Sequence, residues 1–375
     1  MQPIYLDYNA TTPIDPRVID AMLPYLREHF GNPSSSHHYG AQAHIGIDAA
    51  REQVASLLGC APGEIVFTGG GSESDNLAIK GVAETHRDRG NHIITSQIEH
   101  PAVLNTCRYL ERHGFRVTYL PVNHEGKVDP NDVAQAITPE TVLITLMHAN
   151  NEVGTIQPIA AVSQIAREHG ILFHTDTAQS VGKIPTRVDE LGVDLLTVAG
   201  HKLYAPKGIG ALYVRQGVSL EPLVHGAGHE HGLRAGTENT ASIVGLGAAC
   251  EIAALTLDES IRQQTALRDR LYQGLREQVK TIQLNGHPTE RLPNTLNVSF
   301  VGRDSSLLLP SIPEIAASTG SACHAGETES SAVLLAMGVP RDVALGAVRL
   351  SLGRWTTEEE IDRAVEILAR QVNSL

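Results

Sequence analysis

A lysine stands at the end of an apolar segment, where a charged amine is costly unless it is paired or used in chemistry. The segment VDLLTVAG, residues 193–200, is typical of a buried strand, and His201 and Lys202 follow it directly. A lysine whose amine is neutral can attack an aldehyde, and desolvation near other cations favours the neutral form. Lys202 is therefore a candidate nucleophile.

Polar side chains also follow the neighbouring apolar segments. Asp176 ends ILFHTD, His100 lies in IEHPAVL, and Asn151 lies in HANNEVG. Each has an ordinary alternative explanation, such as a helix cap or a satisfied polar group at a turn. Because the carboxyl ends of strands in an open α/β sheet meet at one crevice, we expect these side chains to lie near Lys202.

The segment FTGGGSES, residues 67–74, combines a strand end, three glycines and Ser72 at the start of a helix. Backbone N–H groups at a helix start and a hydroxyl suit an anion such as phosphate, although a plain strand-to-helix turn has the same composition. The segment lacks the spacing of a nucleotide P-loop. A phosphate cradle, a carboxylate, a histidine and a strand-end lysine together are the groups that a pyridoxal phosphate (PLP) enzyme requires.

The elements that must position these groups alternate along the chain. Seven apolar runs are typical of strands, and they begin near residues 64, 91, 116, 141, 171, 193 and 210. The segments SESDNLAIKGVAETHRDRG and IAAVSQIAREHG between them have helical spacing. This alternation predicts a mainly parallel sheet covered by helices on both faces. A long helical stretch from about residue 243 predicts a link to a smaller domain, so we expect a large domain over 16–254 and a small domain over 1–15 and 255–375.

Composition excludes several classes of protein. The 375 residues carry a net charge of −13 without a block of Lys or Arg, which argues against a nucleic-acid partner or an anionic membrane surface. The first residues do not resemble a signal peptide, and no run of about 18 apolar residues follows, so we expect a cytoplasmic protein without a membrane segment. The four cysteines form no C-x-x-C pair, and GHEHG lacks metal-site spacing, so we expect no disulfide framework and no metal site.

The chain resembles the cysteine desulfurases of the NifS/IscS type over nearly its whole length. The motifs that carry the resemblance are, in order, YLDYNATTPIDP, FGNPSSSHHYG, FTGGGSESDNLAIKG, HANNEVGTIQPI, HTDTAQSVGK, GHKLYAPKGIGALYVR, GTENT, STGSACHAG and VRLSLGRWTTEEEID. The resemblance implies an α/β class V aminotransferase-like homodimer of PLP fold type I. Such a protein has a mainly parallel seven-stranded sheet flanked by helices and a smaller α+β C-terminal domain.

The resemblance also implies a role in cofactor binding for each matching residue. Lys202 would hold PLP as a Schiff base and later act as a general base, and Asp176 would pair with the pyridine nitrogen. The other implied contacts are Gln179 at the ring oxygen, Asn151 at the cofactor, Gly71, Ser72 and His201 at the phosphate, and Thr237 at the phosphate of the other subunit. His100 would stack on the ring and act as a catalytic residue that transfers protons.

For the substrate, the resemblance implies that Asn151 and Arg354 clamp the carboxylate of L-cysteine. Cys323 lies in STGSACHAGETESS, a polar composition expected of an exposed loop. Its thiolate would take the sulfur of the PLP-bound cysteine, leaving alanine and an enzyme persulfide, and the remaining cysteines would be structural. The persulfide would then pass sulfur to an acceptor protein, such as an iron–sulfur scaffold, which the sequence does not identify.

Two positions depart from the family pattern. Ala199 stands where the family commonly has a serine that reaches the phosphate, which leaves that contact open. His324 follows Cys323 where many IscS-like members have a small hydroxyl residue, and the arrangement ACH also resembles selenocysteine lyases. Selenocysteine lyase is therefore an alternative activity. A PLP-free sulfur-assembly scaffold is a further alternative, against which the full set of candidate catalytic residues argues.

Overall fold

The computed structural model describes residues 2–319 and 330–374. In that part of the chain the strands, in order, are β1 Ile4–Tyr5, β2 Ile65–Thr68, β3 His92–Ser96, β4 Arg116–Leu120, β5 Thr141–Thr145, β6 Leu172–Asp176, β7 Leu195–Ala199, β8 Gly210–Val214, β9 Ile282–Asn285, β10 Thr295–Phe300, β11 Ile315–Ala316 and β12 Ala347–Ser351. The α-helices are α1 Pro16–Arg27, α2 His38–Leu58, α3 Gly71–Thr85, α4 Pro101–Glu111, α5 Pro130–Ala136, α6 Ile159–Glu168, α7 Val188–Leu191, α8 Thr240–Gln278, α9 Ser305–Leu308, α10 Ala332–Ala336, α11 Arg341–Ala344 and α12 Glu358–Ser374.

Seven strands form the main sheet in the order β2-β8-β7-β6-β5-β3-β4. All neighbours pair in parallel except β8, which is antiparallel to β2 and to β7. Each strand coincides with one of the seven apolar runs in the sequence. The predicted α/β class with a mainly parallel seven-stranded sheet is confirmed.

Helices cover both faces of this sheet, as strands that are mostly buried on both faces require. Successive strand residues point to opposite faces, so Leu195 packs in a cluster with Leu77 of α3, while Leu196 packs in a cluster with Val54 of α2 and Leu246 of α8. The two segments with helical spacing form α3 and α6, and the long helical stretch forms α8. These elements place the carboxyl ends of β5, β6 and β7 at one edge.

The C-terminal part forms a second core. Strands β12, β10 and β9 make an antiparallel sheet, and β1 pairs in parallel with β11. Leu271 of α8, Leu368 of α12 and Leu6 of the N-terminal segment share this core. One helix, α8, thus belongs to both cores, and the boundary between residues 254 and 255 stays a prediction inside it.

Helix α8 is also the one helix of the described residues that is long and apolar enough to cross a membrane by length and composition. Half of its apolar stretch is buried inside the protein. A core helix of this kind satisfies the same criterion because its apolar side chains face other protein elements rather than lipid.

Candidate active site

A cavity of about 720 Å³ lies at the carboxyl ends of β6 and β7, between the main sheet and β12. Most of the site residues expected from the sequence line it, namely Gly71, Ser72, His100, Asn151, Asp176, Gln179, His201 and Lys202. Two further expected residues, Thr237 and Arg354, are not among its lining residues. Cys323 lies outside the described residues.

Lys202 ends a short 3-10 turn that follows β7 directly. Its Nζ donates to the backbone carbonyl oxygens of Asn9 and Ala10 at 2.5 and 2.6 Å. Burial, and then the nearby Arg349 guanidinium, lower the pKa of this amine to about 8. A lowered pKa leaves a substantial fraction of Lys202 neutral near physiological pH, which a nucleophilic amine needs.

Asp176 is the last residue of β6, and its side chain is buried. Its Oδ1 accepts a hydrogen bond from the backbone N–H of Ala178 at 2.8 Å. Burial raises the pKa of this carboxyl, while His100 and Lys202 oppose the rise. A buried carboxylate at a cavity wall fits a protonated ring nitrogen, which would compensate its desolvation.

The start of α3 forms a second wall of the cavity. Gly70 precedes the helix with a φ of 146° and offers no side chain to cap it, so the first helical N–H groups stay available. A Cβ on Gly71 would lie 3.0 Å from the Cβ of Ala199, so the cradle is tight at this point. Such a helix start, with the hydroxyl of Ser72 beside it, fits a phosphate group. Ala199 lines the same wall with a methyl group and leaves the phosphate to the helix start.

Two histidines at this edge have pKa values below the usual range. Nδ1 of His100 accepts from the N–H of Ala102 at 3.2 Å, which leaves the proton on Nε2. Burial lowers the pKa of His100, and it lowers the pKa of His201 to about 4, with Lys202 adding to the effect on His201. His201 Nδ1 lies 3.2 Å from the hydroxyl of Thr11. Neutral imidazoles can stack on a ring or donate one hydrogen bond without adding charge.

The arginine at the cavity differs from the one expected from the sequence. Arg349 in β12 lines the cavity, where its NH1 donates to the carbonyl oxygen of Asn151 at 3.1 Å and its NH2 donates to Asp7 at 2.8 Å. Its Nε is buried without a hydrogen-bond partner among the described residues. An unpaired buried N–H beside Asn151 leaves a donor for a carboxylate.

Arg354 lies elsewhere, because the chain leaves β12 at Ser351 and turns before it. Its NH1 pairs with Asp15, and its guanidinium lies 4.3 Å from the ring centre of Tyr204. Arg354 therefore lies away from the cavity that Arg349 lines, and its assignment to the carboxylate clamp stays a prediction. A charged residue inside the otherwise buried strand AVRLS was a sequence signal for Arg349.

Sequence reasoning also missed Asn9, which is 1% exposed. Its carbonyl oxygen accepts from Lys202 and from Nε2 of Gln179, and its own Nδ2 donates to Thr295 Oγ1 at 2.9 Å. Its backbone N–H donates to Ser351 Oγ at 2.9 Å. Asn9 therefore joins the site to the small sheet. The motif YLDYNATT contained it, but nothing local distinguishes this asparagine from a turn residue.

The cysteines of the described residues do not have reactive surroundings. Cys60, Cys107 and Cys250 are free thiols, and burial raises the pKa of each to about 12. A thiol of such high pKa is a poor nucleophile at neutral pH. This agrees with the expectation that these cysteines are structural.

The described residues on either side of 320–329 contact the cavity walls. Ser318 lines the cavity, and Ser331 donates its hydroxyl proton to the carboxylate of Glu152, which also lines it. The chain therefore enters and leaves the segment that contains Cys323 beside the cavity.

Known proteins match this chain over nearly its whole length. The model of the family described as aminotransferase class-V matches residues 4–364. The chain is 49% identical over 374 residues to the cysteine desulfurase IscS of Dictyoglomus turgidum, covering 99% of this chain and 95% of the relative. It is 51% identical to the IscS of Methanosarcina thermophila, covering 99% and 92%.

Solved structures agree with this result. A NifS-like protein superposes with a TM-score of 0.94 at 41% identity over both entire chains. The structure described as SspA in complex with cysteine superposes with a TM-score of 0.84 at 42% identity, covering 94% of this chain and 99% of that chain. The chain belongs to the aminotransferase class-V family. The resemblance noted in the sequence is thereby confirmed, and so is its implied fold.

Proposed function

We propose that this protein is a PLP-dependent cysteine desulfurase, which converts L-cysteine to L-alanine and passes the sulfur on. The observation that carries the proposal is one cavity that combines a lysine of lowered pKa, a buried strand-end carboxylate, a glycine-rich helix start and an arginine whose Nε has no hydrogen-bond partner among the described residues. The relatives named cysteine desulfurase support the choice of reaction.

The residues present suit PLP. Asp176 would pair with the ring nitrogen, the start of α3 with Ser72 would hold the phosphate, and Lys202 would hold the aldehyde carbon. Bound there, PLP supplies an electron sink for the bonds of the substrate's α-carbon. Gln179 and His100 line the same cavity and would contact the ring.

Substrate binding is assigned to Arg349 of β12 and to Asn151 beside it. Arg349 and Asn151 would hold the carboxylate of L-cysteine, with the free Nε–H of Arg349 as one donor. Once displaced by the substrate amine, Nζ of Lys202 would take and return protons at the substrate carbons, since its pKa of about 8 suits transfer in both directions near neutral pH.

The sulfur goes to Cys323. Its thiolate attacks the substrate sulfur, the carbon–sulfur bond breaks, and a sulfur–sulfur bond forms. The carbon keeps the electron pair of the broken bond and gains a proton, which gives the methyl group of alanine. The high pKa of the three cysteines in the described residues supports this choice.

The proposal extends to a cytoplasmic homodimer with a protein sulfur acceptor. Thr237 is exposed and precedes α8, a position from which it would contact the phosphate of a partner copy. Phe30 is 72% exposed, and its ring stacks on Tyr39 at 5.4 Å, so an apolar surface is left for a second copy to cover. Free thiols in the described residues favour a reducing compartment.

The experiment follows both products of the purified protein. Incubation with L-cysteine and a reducing thiol should give alanine and sulfide in equal amounts, and the protein should carry a yellow band that borohydride bleaches. Alanine without a cofactor band, or no product at all, would contradict the proposal. A parallel incubation with L-selenocysteine tests the alternative activity, selenocysteine lyase, which the sequence ACH around Cys323 raises. A strong preference for the selenium substrate would change the assignment to selenocysteine lyase.

A further inference from the structure

Lys183 is a buried lysine beside the cavity for which the proposed reaction has no use. Its side chain is 7% exposed, and its Nζ contacts two neutral oxygens, Oε1 of Gln179 at 3.0 Å and Oδ1 of Asn9 at 3.5 Å. Among the described residues no carboxylate forms an ion pair with it. Burial, followed by the nearby Lys202 and Arg349, lowers the pKa of Lys183 to about 7. Because a buried lysine without an anion is costly, the position needs an explanation.

The hydrogen bond from Lys183 to Gln179 supplies an explanation for this buried lysine. The two ends of a side-chain amide have the same shape but opposite hydrogen-bonding roles. Lys183 donates to the oxygen end, so the NH2 end must point away from it. That NH2 group donates to the carbonyl oxygen of Asn9 at 3.0 Å, the same oxygen that Nζ of Lys202 contacts at 2.5 Å. The donor end of Gln179 therefore lies on the Lys202 side.

Asn9 is fixed by the same arrangement. Its Oδ1 accepts from Nζ of Lys183 and from Nδ2 of Asn294 at 3.0 Å, and its Nδ2 donates to Thr295. With both ends of its side chain bonded, Asn9 cannot turn without breaking buried hydrogen bonds. The carbonyl that receives Gln179 and Lys202 is thus held in place.

We propose that Lys183 is a positioning residue, which holds the Gln179 amide with its NH2 group toward Lys202, ready to donate to the ring oxygen of bound PLP. The inference rests on the proposed function, because the acceptor is part of that cofactor. Lys183 itself touches neither substrate nor cofactor in this arrangement and acts through Gln179.

This role has a spectroscopic consequence. A donor at the ring oxygen draws negative charge away from the neighbouring protonated linkage between Lys202 and PLP, and so lowers the pKa of that linkage. Lys183→Met removes the group that orients the donor, and Gln179→Leu removes the donor. Each change should raise the linkage pKa by about one pH unit.

The test is a double-mutant cycle on the cofactor-loaded protein, read from the absorbance of the bound cofactor against pH. If Lys183 acts through Gln179, the double variant should show the same linkage pKa as Gln179→Leu alone. Equal and additive shifts would show that Lys183 acts directly by its charge and would overturn the inference, as would an unchanged linkage pKa in Lys183→Met. A merely structural lysine would leave the linkage pKa unmoved.

A second double-mutant cycle, on the cofactor-free protein, tests the Lys183–Gln179 pairing independently of the proposed function. The unfolding free energies of the cofactor-free wild type, both single variants and the double variant should be non-additive, because the Lys183–Gln179 hydrogen bond exists without cofactor. Absence of any cofactor band in the wild type would refute the proposed function, whereas additive unfolding free energies would refute the pairing. Lys183→Gln, too short to reach both oxygens, replaces Lys183→Met in both cycles if the methionine variant does not fold.

Discussion

The two walls of the cavity are built differently. On the main-sheet wall, Asp176 and Lys202 follow directly from buried strands, so the backbone of β6 and β7 fixes their positions. On the wall formed by β12, Arg349 comes from the small sheet and is oriented by polar contacts to Asp7 and to the carbonyl of Asn151. Under the proposed function, the sheet wall would hold the cofactor and transfer protons, while the β12 wall would bind the substrate carboxylate.

Substitution of Lys202 on the main-sheet wall should have the largest effect on turnover. Lys202→Ala removes both the covalent attachment and the proton-transferring amine, so turnover should fall by at least about 10³-fold. Asp176 and the start of α3 should still retain PLP, but borohydride should no longer fix it to the protein. Turnover near the wild-type rate would remove Lys202 from the mechanism.

Cys323→Ala leaves both described walls untouched and removes the proposed sulfur acceptor. Sulfide release from L-cysteine should drop to background, while addition of L-cysteine should still change the cofactor spectrum, because Lys202, Asn151 and Arg349 remain. Undiminished release of sulfide would show that another group receives the sulfur. Activity that survives with L-selenocysteine alone would favour the lyase alternative.

The β12 wall is tested by Arg349→Leu. Loss of a charged, hydrogen-bonding partner for the carboxylate should raise KM for L-cysteine by about 10- to 100-fold. Because cofactor attachment lies on the other wall, the cofactor spectrum without substrate should keep its band. A normal KM in this variant would contradict the division between the two walls.

Arg354→Leu is the matched control, five residues further along the chain. It removes the ion pair with the buried Asp15 and the contact with the Tyr204 ring. The free energy of unfolding should fall by about 1–3 kcal/mol, because Asp15 loses a partner, although Arg17 still holds it. KM for L-cysteine should stay close to the wild-type value. A large rise in KM would return Arg354 to the clamp that the sequence assigned to it.

A further expected effect, on stability rather than on turnover, is a pH dependence from Lys183. Its folded-state pKa is about 7, below the usual 10.5, so between these values the unfolded chain binds a proton that the folded chain does not. Stability therefore rises with pH through this window, and it falls as pH drops toward 7. The unfolding free energy of the cofactor-free wild type, relative to Lys183→Met, should increase between about pH 7 and pH 10. A difference that is constant or declines with pH would contradict the burial of this amine.

Much of the sheet wall was predictable from the sequence. Apolar runs that alternate with helical segments mark strands buried on both faces, and the residue after such a strand must lie at the edge of the sheet. The sequence alone therefore predicts that Lys202, Asp176 and the glycines before α3 share one crevice. The contact of Thr237 with the phosphate of a partner copy and the role of Cys323 as sulfur acceptor stay predictions.

The other wall depended on contacts that no local pattern encodes. Asn9 meets Thr295, and Lys183 meets Asn9, across separations of 286 and 174 residues. Two arginines five residues apart have the same chemistry, and only the turn after β12 decides that Arg349 enters the cavity while Arg354 packs on Tyr204.

The sequence by itself determined the parallel sheet, the edge at which chemistry collects and the family, because these follow from periodicity and from motifs contiguous in the chain. The tertiary structure decided which arginine lines the cavity, which end of the Gln179 amide faces Lys202, and how far burial lowers the pKa of Lys202 and Lys183. These properties depend on desolvation and on hydrogen-bond partners drawn from distant segments, and both exist only once the two cores have packed together.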